Sequence, residues 1–368
     1  MRVVYPPPAS RKVFAAAHVA AVAGPRGEPV IDWESTLRFR EHLWAHGFGV
    51  AEAMDTAQRG MGPSGLSWEQ ASELIARTAA RAAETGRLDA LACGAGTDQL
   101  ADGGPHRLGA IIDAYAEQVA FVQASGAQVI LMASRALAAS ARGPRDYLEV
   151  YGELVRQAER PVILHWLGEA FDPALAGYWG GGGFGAAAAT VLELIDRSGG
   201  QVGGVKLSVL DEGHERWLRR RLPSGVRLYT GDDFNYASLI RGDANGSHSD
   251  ALLGAFAAIT APAAAALAAL DRGDLAGYDA AMAPTVPLSR LIFEPPTYHY
   301  KAGVAFLAWL NGLQPQFVML GGLERARSAG HLIRLFELAG AARALTKPEL
   351  AAERAREMLA RSAPSGPV

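Results

Sequence analysis

The sequence predicts an α/β protein: a (β/α)8 TIM barrel followed by a C-terminal helical extension. Short apolar runs alternate with longer amphipathic stretches from residue 13 onward, the pattern of βα units around a parallel sheet. Eight such units fit before Gly273, within the roughly 250 residues that such a barrel occupies. Beyond Gly273 the periodicity is helical alone, so the chain divides into a barrel at 1–272 and an extension at 273–368 packed against it.

The units are read in order. Strand one covers 13–22, a turn of Gly24, Pro25 and Gly27 follows, and Asp32 is placed to cap a helix over 33–46. Strand two, 49–53, exits through Met54-Asp55-Thr56-Ala57-Gln58-Arg59-Gly60; Ser67 then caps a helix from Trp68, with Gln70 completing a capping box. Strand three is 90–95, a helix covers 107–125, and strand four is 128–133. An Ala-, Ser- and Arg-rich loop leads to Pro144, suited to the first turn of a helix ending near Gln157. Strand five, 161–166, is separated by the Gly180–Gly183 run from a helix over 186–198. Strand six carries Lys206, and strand seven, 226–230, ends in Gly231-Asp232-Asp233. Strand eight is the short segment around 244–247, and Asp250 opens an Ala-rich eighth helix over 251–270. Later helices are expected at about 275–293, 298–311, 324–339 and 347–361.

Composition limits the functional classes. With 49% hydrophobic and 20% charged residues, the 368-residue chain has the makeup of a soluble globular protein with a large core. A formal net charge of −3 offers no electrostatic case for nucleic acid or an anionic membrane. Cys93 stands alone, so neither an intramolecular disulfide nor a Cys-rich metal site can form. The proline-rich start is not followed by the apolar core of a signal peptide, and the run 14–23 is too short to span a bilayer. A reducing cytoplasm is the expected compartment.

Lys206 lies near the end of an apolar strand led in by Gly203 and Gly204. Burial disfavours an ammonium, and the neutral amine so obtained attacks carbonyl carbon to form a Schiff base. The plain alternative is a lysine that snorkels to solvent or pairs with a carboxylate. With the strands placed as above, Lys206, His165, Asp55, Thr56, Arg135, Ser247 and His248 share the C-terminal rim, where barrels of this kind carry their chemistry. His165 suits proton transfer, since imidazole titrates near neutral pH; it could equally be a core histidine satisfied by backbone. Thr56 could hold a substrate oxygen or cap its turn. Asp55 could orient His165, bind a hydroxyl or amine, or only brace its loop. Arg59 and Arg135 are anion clamps or ordinary surface arginines. His18, Glu52, His165, Glu169 and His248 could meet as a divalent-metal site, although no local ligand motif joins them. Gly180–Gly183 is not a phosphate loop, lacking its lysine and serine, and reads as a flexible or tightly turning connection. Tyr298-His299-Tyr300-Lys301 opens an apolar helix and reads as core or subunit interface.

Several segments resemble the dihydrodipicolinate synthase and N-acetylneuraminate lyase superfamily of class I aldolases. Ile31-Asp32-Trp33-Glu34 is similar to that family's first helix entry, and Leu66-Ser67-Trp68-Glu69 with Glu73-Leu74-Ile75 to its second helix. Gly94-Ala95-Gly96-Thr97-Asp98 resembles the glycine-rich strand-three exit, and Tyr229-Thr230-Gly231-Asp232-Asp233 the strand-seven exit. Gly204-Val205-Lys206-Leu207-Ser208 matches the Schiff-base motif, and Asp211 downstream fits its lyase branch. The resemblance covers about residues 13–310 and rests on the order of these segments. It departs at the pocket. Where the family has glycine, two threonines, glycine and glutamate to bind a keto-acid carboxylate, this chain has Met54-Asp55-Thr56-Ala57-Gln58, and Asp55 would repel a carboxylate there. His165 occupies the place of a catalytic tyrosine, and Ser134-Arg135 that of an aromatic residue.

The resemblance implies a divergent class I aldolase or lyase cleaving a carbon–carbon or carbon–oxygen bond. Lys206 would form an imine with a small 2-oxo acid or related carbonyl compound, His165 would move protons, and Asp55, Thr56, Arg135, Ser208, Ser247 and His248 would bind substrate. That mechanism needs no dissociable cofactor and no metal, and the relatives imply a homo-oligomer. Alternatives on the same barrel are a metal-dependent lyase or hydrolase, or a catalytically inactive small-ligand-binding protein.

Overall fold

The computed structural model describes residues 5–100 and 104–362; the last residues of the expected extension, 363–368, lie outside the described residues. Eight parallel strands close into a barrel: β1 (Val13–Ala16), β2 (Gly49–Glu52), β3 (Leu91–Ala95), β4 (Gln128–Leu131), β5 (Val162–Leu167), β6 (Val202–Ser208), β7 (Arg227–Thr230) and β8 (Asp250–Leu253). Each pairs with the next, and β8 returns to β1. Around them run α1 (Trp33–Ala45), α2 (Trp68–Glu84), α3 (Leu108–Ala124), α4 (Arg135–Ser140), α5 (Pro144–Gln157), α6 (Phe184–Arg197), α7 (Glu212–Arg219), α8 (Tyr236–Arg241), α9 (Ala255–Ala258) and α10 (Thr260–Asp271). The C-terminal helical part comprises α11 (Leu275–Met282), α12 (Thr285–Ile292), α13 (Tyr300–Leu310), α14 (Ala329–Ala341) and α15 (Pro348–Ser362). No helix among the described residues is long and apolar enough to cross a membrane.

The local signals at helix starts are realised as hydrogen bonds. Asp32 accepts from Ser35 N at 3.1 Å, and Ser67 and Gln70 form the reciprocal capping box, so each satisfies donors the helix cannot. Strand faces alternate as a closed barrel requires. Phe14, Ala51, Ala92, Ile130, Ile163, Tyr229 and Leu252 form an apolar cluster inside the barrel, while Val50, Leu91, Val129, Leu164, Val205 and Leu207 join the larger core beneath the helices. A buried Arg40–Glu52 ion pair, 2.7 Å long and extended by Thr78, ties α1, β2 and α2 together.

Several expectations need correction. The run 13–22 is not one strand: β1 ends at Ala16, and Ala21–Ala23 forms an antiparallel hairpin with Pro29–Ile31. Strand eight is Asp250–Leu253, not 244–247, because Ala251, Leu252 and Leu253 are the apolar residues that pair with β1. Asp250 is no helix cap; it accepts from Lys12 N and from Arg227, both at 2.7 Å, at the N-terminal end of the barrel. The segment 275–293 is two helices, and α4 was not anticipated. The glycine run is a tight connection: Trp179 immediately before it is fully buried against Tyr147, Tyr151 and Tyr178.

Candidate active site

β6 delivers Lys206 into the barrel mouth. Alternation sends Val205 and Leu207 outward and Lys206 inward, in register with His165 on β5 and Tyr229 on β7. Space for the side chain comes from Gly231, where an added Cβ would meet Ser208 Oγ at 2.1 Å and Lys206 Cε at 3.1 Å. Lys206 is 5% exposed, and among the described residues it makes no hydrogen bond or ion pair. Burial lowers its pKa from the ordinary lysine value, against the opposing fields of Asp55 and Asp233. Burial likewise pushes the Asp233 carboxyl well up, so both members of this pair are driven toward their neutral forms. A neutral amine is the form that can act as a nucleophile.

His165 lies beside it, 1% exposed, with neither ring nitrogen hydrogen-bonded. Burial above all holds its pKa well below the usual imidazole range, so it is neutral at pH 7. Its near-neutral titration, expected from the sequence, is therefore removed by the barrel interior.

A further group at the site comes from the C-terminal helices. The Tyr300 hydroxyl donates to Asp55 Oδ2 at 2.6 Å and lies 2.6 Å from Thr56 Oγ1. Since the phenol proton goes to Asp55, Thr56 must donate to the phenol oxygen, which orders a chain Thr56–Tyr300–Asp55. Tyr300 stacks on Phe293 with centroids 4.4 Å apart, and its pKa is pushed well up by burial and then by Asp55. Gly254, just past β8, admits these rings: an added Cβ would stand 3.1 Å from Tyr300 and 3.2 Å from Phe293. For Asp55, burial acts to raise the carboxyl pKa, but the field of Lys301 and the bond from the Tyr300 hydroxyl are among the opposing influences that hold it below the usual carboxylate value.

Outside this cluster opens a cavity of about 1370 Å³, walled by Asp55, Arg59, Thr97, Ser134, Arg135, Phe171, Asp172, Tyr298 and Lys301, among others. Lys206, His165, Thr56 and Tyr300 are not in its wall, so the cavity stops short of the amine and Asp55 belongs to both regions. Arg59 is committed to Asp98, Gln118 and the Gly94 carbonyl, and Arg135 to Asp172 at 2.6 Å. Only four lysines occur in the chain, Lys12, Lys206, Lys301 and Lys347, and two of them are buried at this mouth.

The site predicted from sequence is thus partly assembled. Lys206, His165, Asp55 and Thr56 come together; Arg135 lies at the outer rim; Ser208 is buried at the end of β6, against Gly231. Ser247 and His248 precede β8 and lie at the opposite, N-terminal end, where His248 feels Arg11 and Asp250, so they cannot bind substrate at Lys206. The five residues considered as metal ligands do not converge: His18 bonds Gln314, Glu52 bonds Arg40, Glu169 is exposed and His248 is at the far end. Among the described residues, no three His, Cys, Asp or Glu side chains are grouped to hold a metal ion. Tyr300 and Lys301 were missed as site residues; the available signal was a run of titratable side chains opening an otherwise apolar helix.

A family model described as "Protein of unknown function (DUF993)" matches residues 1–363. No curated protein matches the chain at a significant level. Among solved structures, dihydrodipicolinate synthase from Oceanobacillus iheyensis is 16% identical with a TM-score of 0.66, covering 90% of this chain and 96% of its own. The synthase from Aquifex aeolicus is 14% identical with a TM-score of 0.67, covering 92% and 99%. YagE of E. coli K12, a protein of the same synthase family solved in complex with pyruvate, is 14% identical with a TM-score of 0.66, covering 90% and 98%. At these identities the likeness establishes a common fold.

Proposed function

The chain belongs to the DUF993 family, and from its barrel mouth we propose that it is a class I, Schiff-base-forming aldolase or lyase acting on a small oxo compound. The observation that carries this reading is Lys206: buried, inward-facing, without an ion pair, and within the field of Asp55, which ends an ordered hydroxyl chain. In this proposal the neutral Lys206 amine adds to the substrate carbonyl carbon, and the proton then carried by the nitrogen passes to the oxygen to give a neutral carbinolamine. A second proton, taken up from solvent and handed on by the Tyr300 hydroxyl, which is left protonated, releases the carbinolamine hydroxyl as water and leaves an iminium ion. The iminium draws electrons from the adjacent bond, so a carbon–carbon or carbon–oxygen bond there can break, and hydrolysis returns the amine. Tyr300, with Thr56 behind it and Asp55 ahead, takes the proton-moving role first expected of His165. The neutral imidazole of His165 is left to donate or accept one hydrogen bond at the reacting atoms.

Borohydride trapping with a panel of 2-oxo acids and aldehydes, followed by peptide mass spectrometry, tests the proposal. A reduced adduct is expected on Lys206 and not on Lys12 or Lys347, and Lys206→Met should abolish it. No adduct on Lys206 with any panel member would sink the reading.

A further inference from the structure

We infer that Lys301 is the anion-recognition residue of this site, so that the oxo substrate carries a carboxylate or phosphate group, paired with the Lys301 ammonium in the cavity wall. The inference rests on the function proposed above and names the substrate class it leaves open. Lys301 is 4% exposed and lines the cavity on the same wall as Asp55. Of its three N–H donors the structure uses one, to the Tyr298 carbonyl at 3.1 Å, while the ammonium rests over the Tyr300 ring, 4.5 Å from its centroid. Among the described residues no carboxylate forms an ion pair with it. Burial lowers the Lys301 pKa from its ordinary value while the fields of Asp55 and then Asp172 oppose that shift, so these carboxylates support its charge from beyond ion-pair distance and its two unspent donors are left for a ligand.

The other cations of the wall are not buried with donors to spare. Arg59 spends its donors on Asp98, Gln118 and two backbone carbonyls, and Arg135, paired through Nε with Asp172, lies in solvent, which weakens its hold on an anion. The strand-two loop, where the resembling enzymes hold a carboxylate, presents the ionised Asp55 here and repels one. An anion in this cavity therefore finds one buried cation with donors to give, one residue along α13 from the phenol that touches Asp55. Lysine rather than arginine fits the task, as a compact charge that one carboxylate or phosphate oxygen group can cap.

Titration of the full-length protein by ligand-observed NMR tests this with propanoate, inorganic phosphate and uncharged propanamide. At least one of the two anions should bind, and propanamide should bind at least about tenfold more weakly. Whichever anion binds more tightly identifies the group on the substrate. Lys301→Met should weaken anion binding about tenfold or more, whereas Lys301→Arg should stay within a few-fold of the native protein. Lys301→Gln, which keeps a donor and most of the chain length, repeats the comparison in a variant with less at stake for folding. Anion binding unchanged in Lys301→Met and Lys301→Gln, or neither anion binding the native protein, overturns the inference. Neither result depends on imine formation, whose own failure would appear as a missing Lys206 adduct.

Discussion

Replacing Tyr300 with phenylalanine removes one oxygen and keeps the ring stacked on Phe293, so the change isolates the relay. Two hydrogen bonds of 2.6 Å are lost, one of them to the ionised Asp55. A bond to a charged group contributes roughly 1.5–3 kcal/mol and a neutral one about 1 kcal/mol, so the folded state should lose about 2–4 kcal/mol. Urea unfolding at pH 7 reads that loss. For the reaction, removing a positioned proton donor should slow adduct formation on Lys206 by about 10²- to 10⁴-fold, measured as the time course of borohydride trapping. The adduct should still reach the same final extent at long times, because the amine and the carbonyl are untouched. A Tyr300→Phe protein that loses the expected stability yet traps substrate at the native rate would refute the relay and leave Tyr300 a packing residue.

Arg40→Met should cost about 3–5 kcal/mol in urea unfolding, because Glu52 would remain buried without its cation. Adding Glu52→Met should recover much of that loss; no recovery would mean the pair itself does not set the cost. Glu215 is buried with Oε2 unbonded, and burial raises its pKa from 4.5 to about 8. Its folded form therefore holds a proton that the unfolded form releases, so stability is full below about pH 4.5 and falls as pH rises toward 8. The ceiling on that loss is on the order of 5 kcal/mol, and Glu215→Gln, which keeps an acceptor for Ser249, should flatten the slope between pH 5 and pH 8 in denaturant unfolding.

Much of the fold was legible because its signals are short-range. Asp32 and the Ser67–Gln70 box act within one helical turn, and apolar runs separated by amphipathic stretches read as βα units from neighbours alone. Lys206 was legible for the same reason: a glycine-led apolar strand ending in a lysine and a polar exit is a local pattern. Strand eight was not, since Asp250–Leu253 is followed closely by an alanine-rich helical stretch, and three apolar residues carry no period that separates strand from helix. Its misplacement put Ser247 and His248 on the wrong end of the barrel.

The amino-acid sequence alone determined the barrel, the inward lysine and the rewritten strand-two loop, all consequences of residues close together in the chain. Only the tertiary structure decided that the buried phenol facing Asp55 comes from 245 residues away, and that Lys301 enters the same mouth. It also decided the charge states, turning His165 neutral and keeping Asp55 ionised. Hydrogen bonds between distant segments and the desolvation of a side chain depend on what closes over it, and that is set by packing rather than by neighbours in sequence.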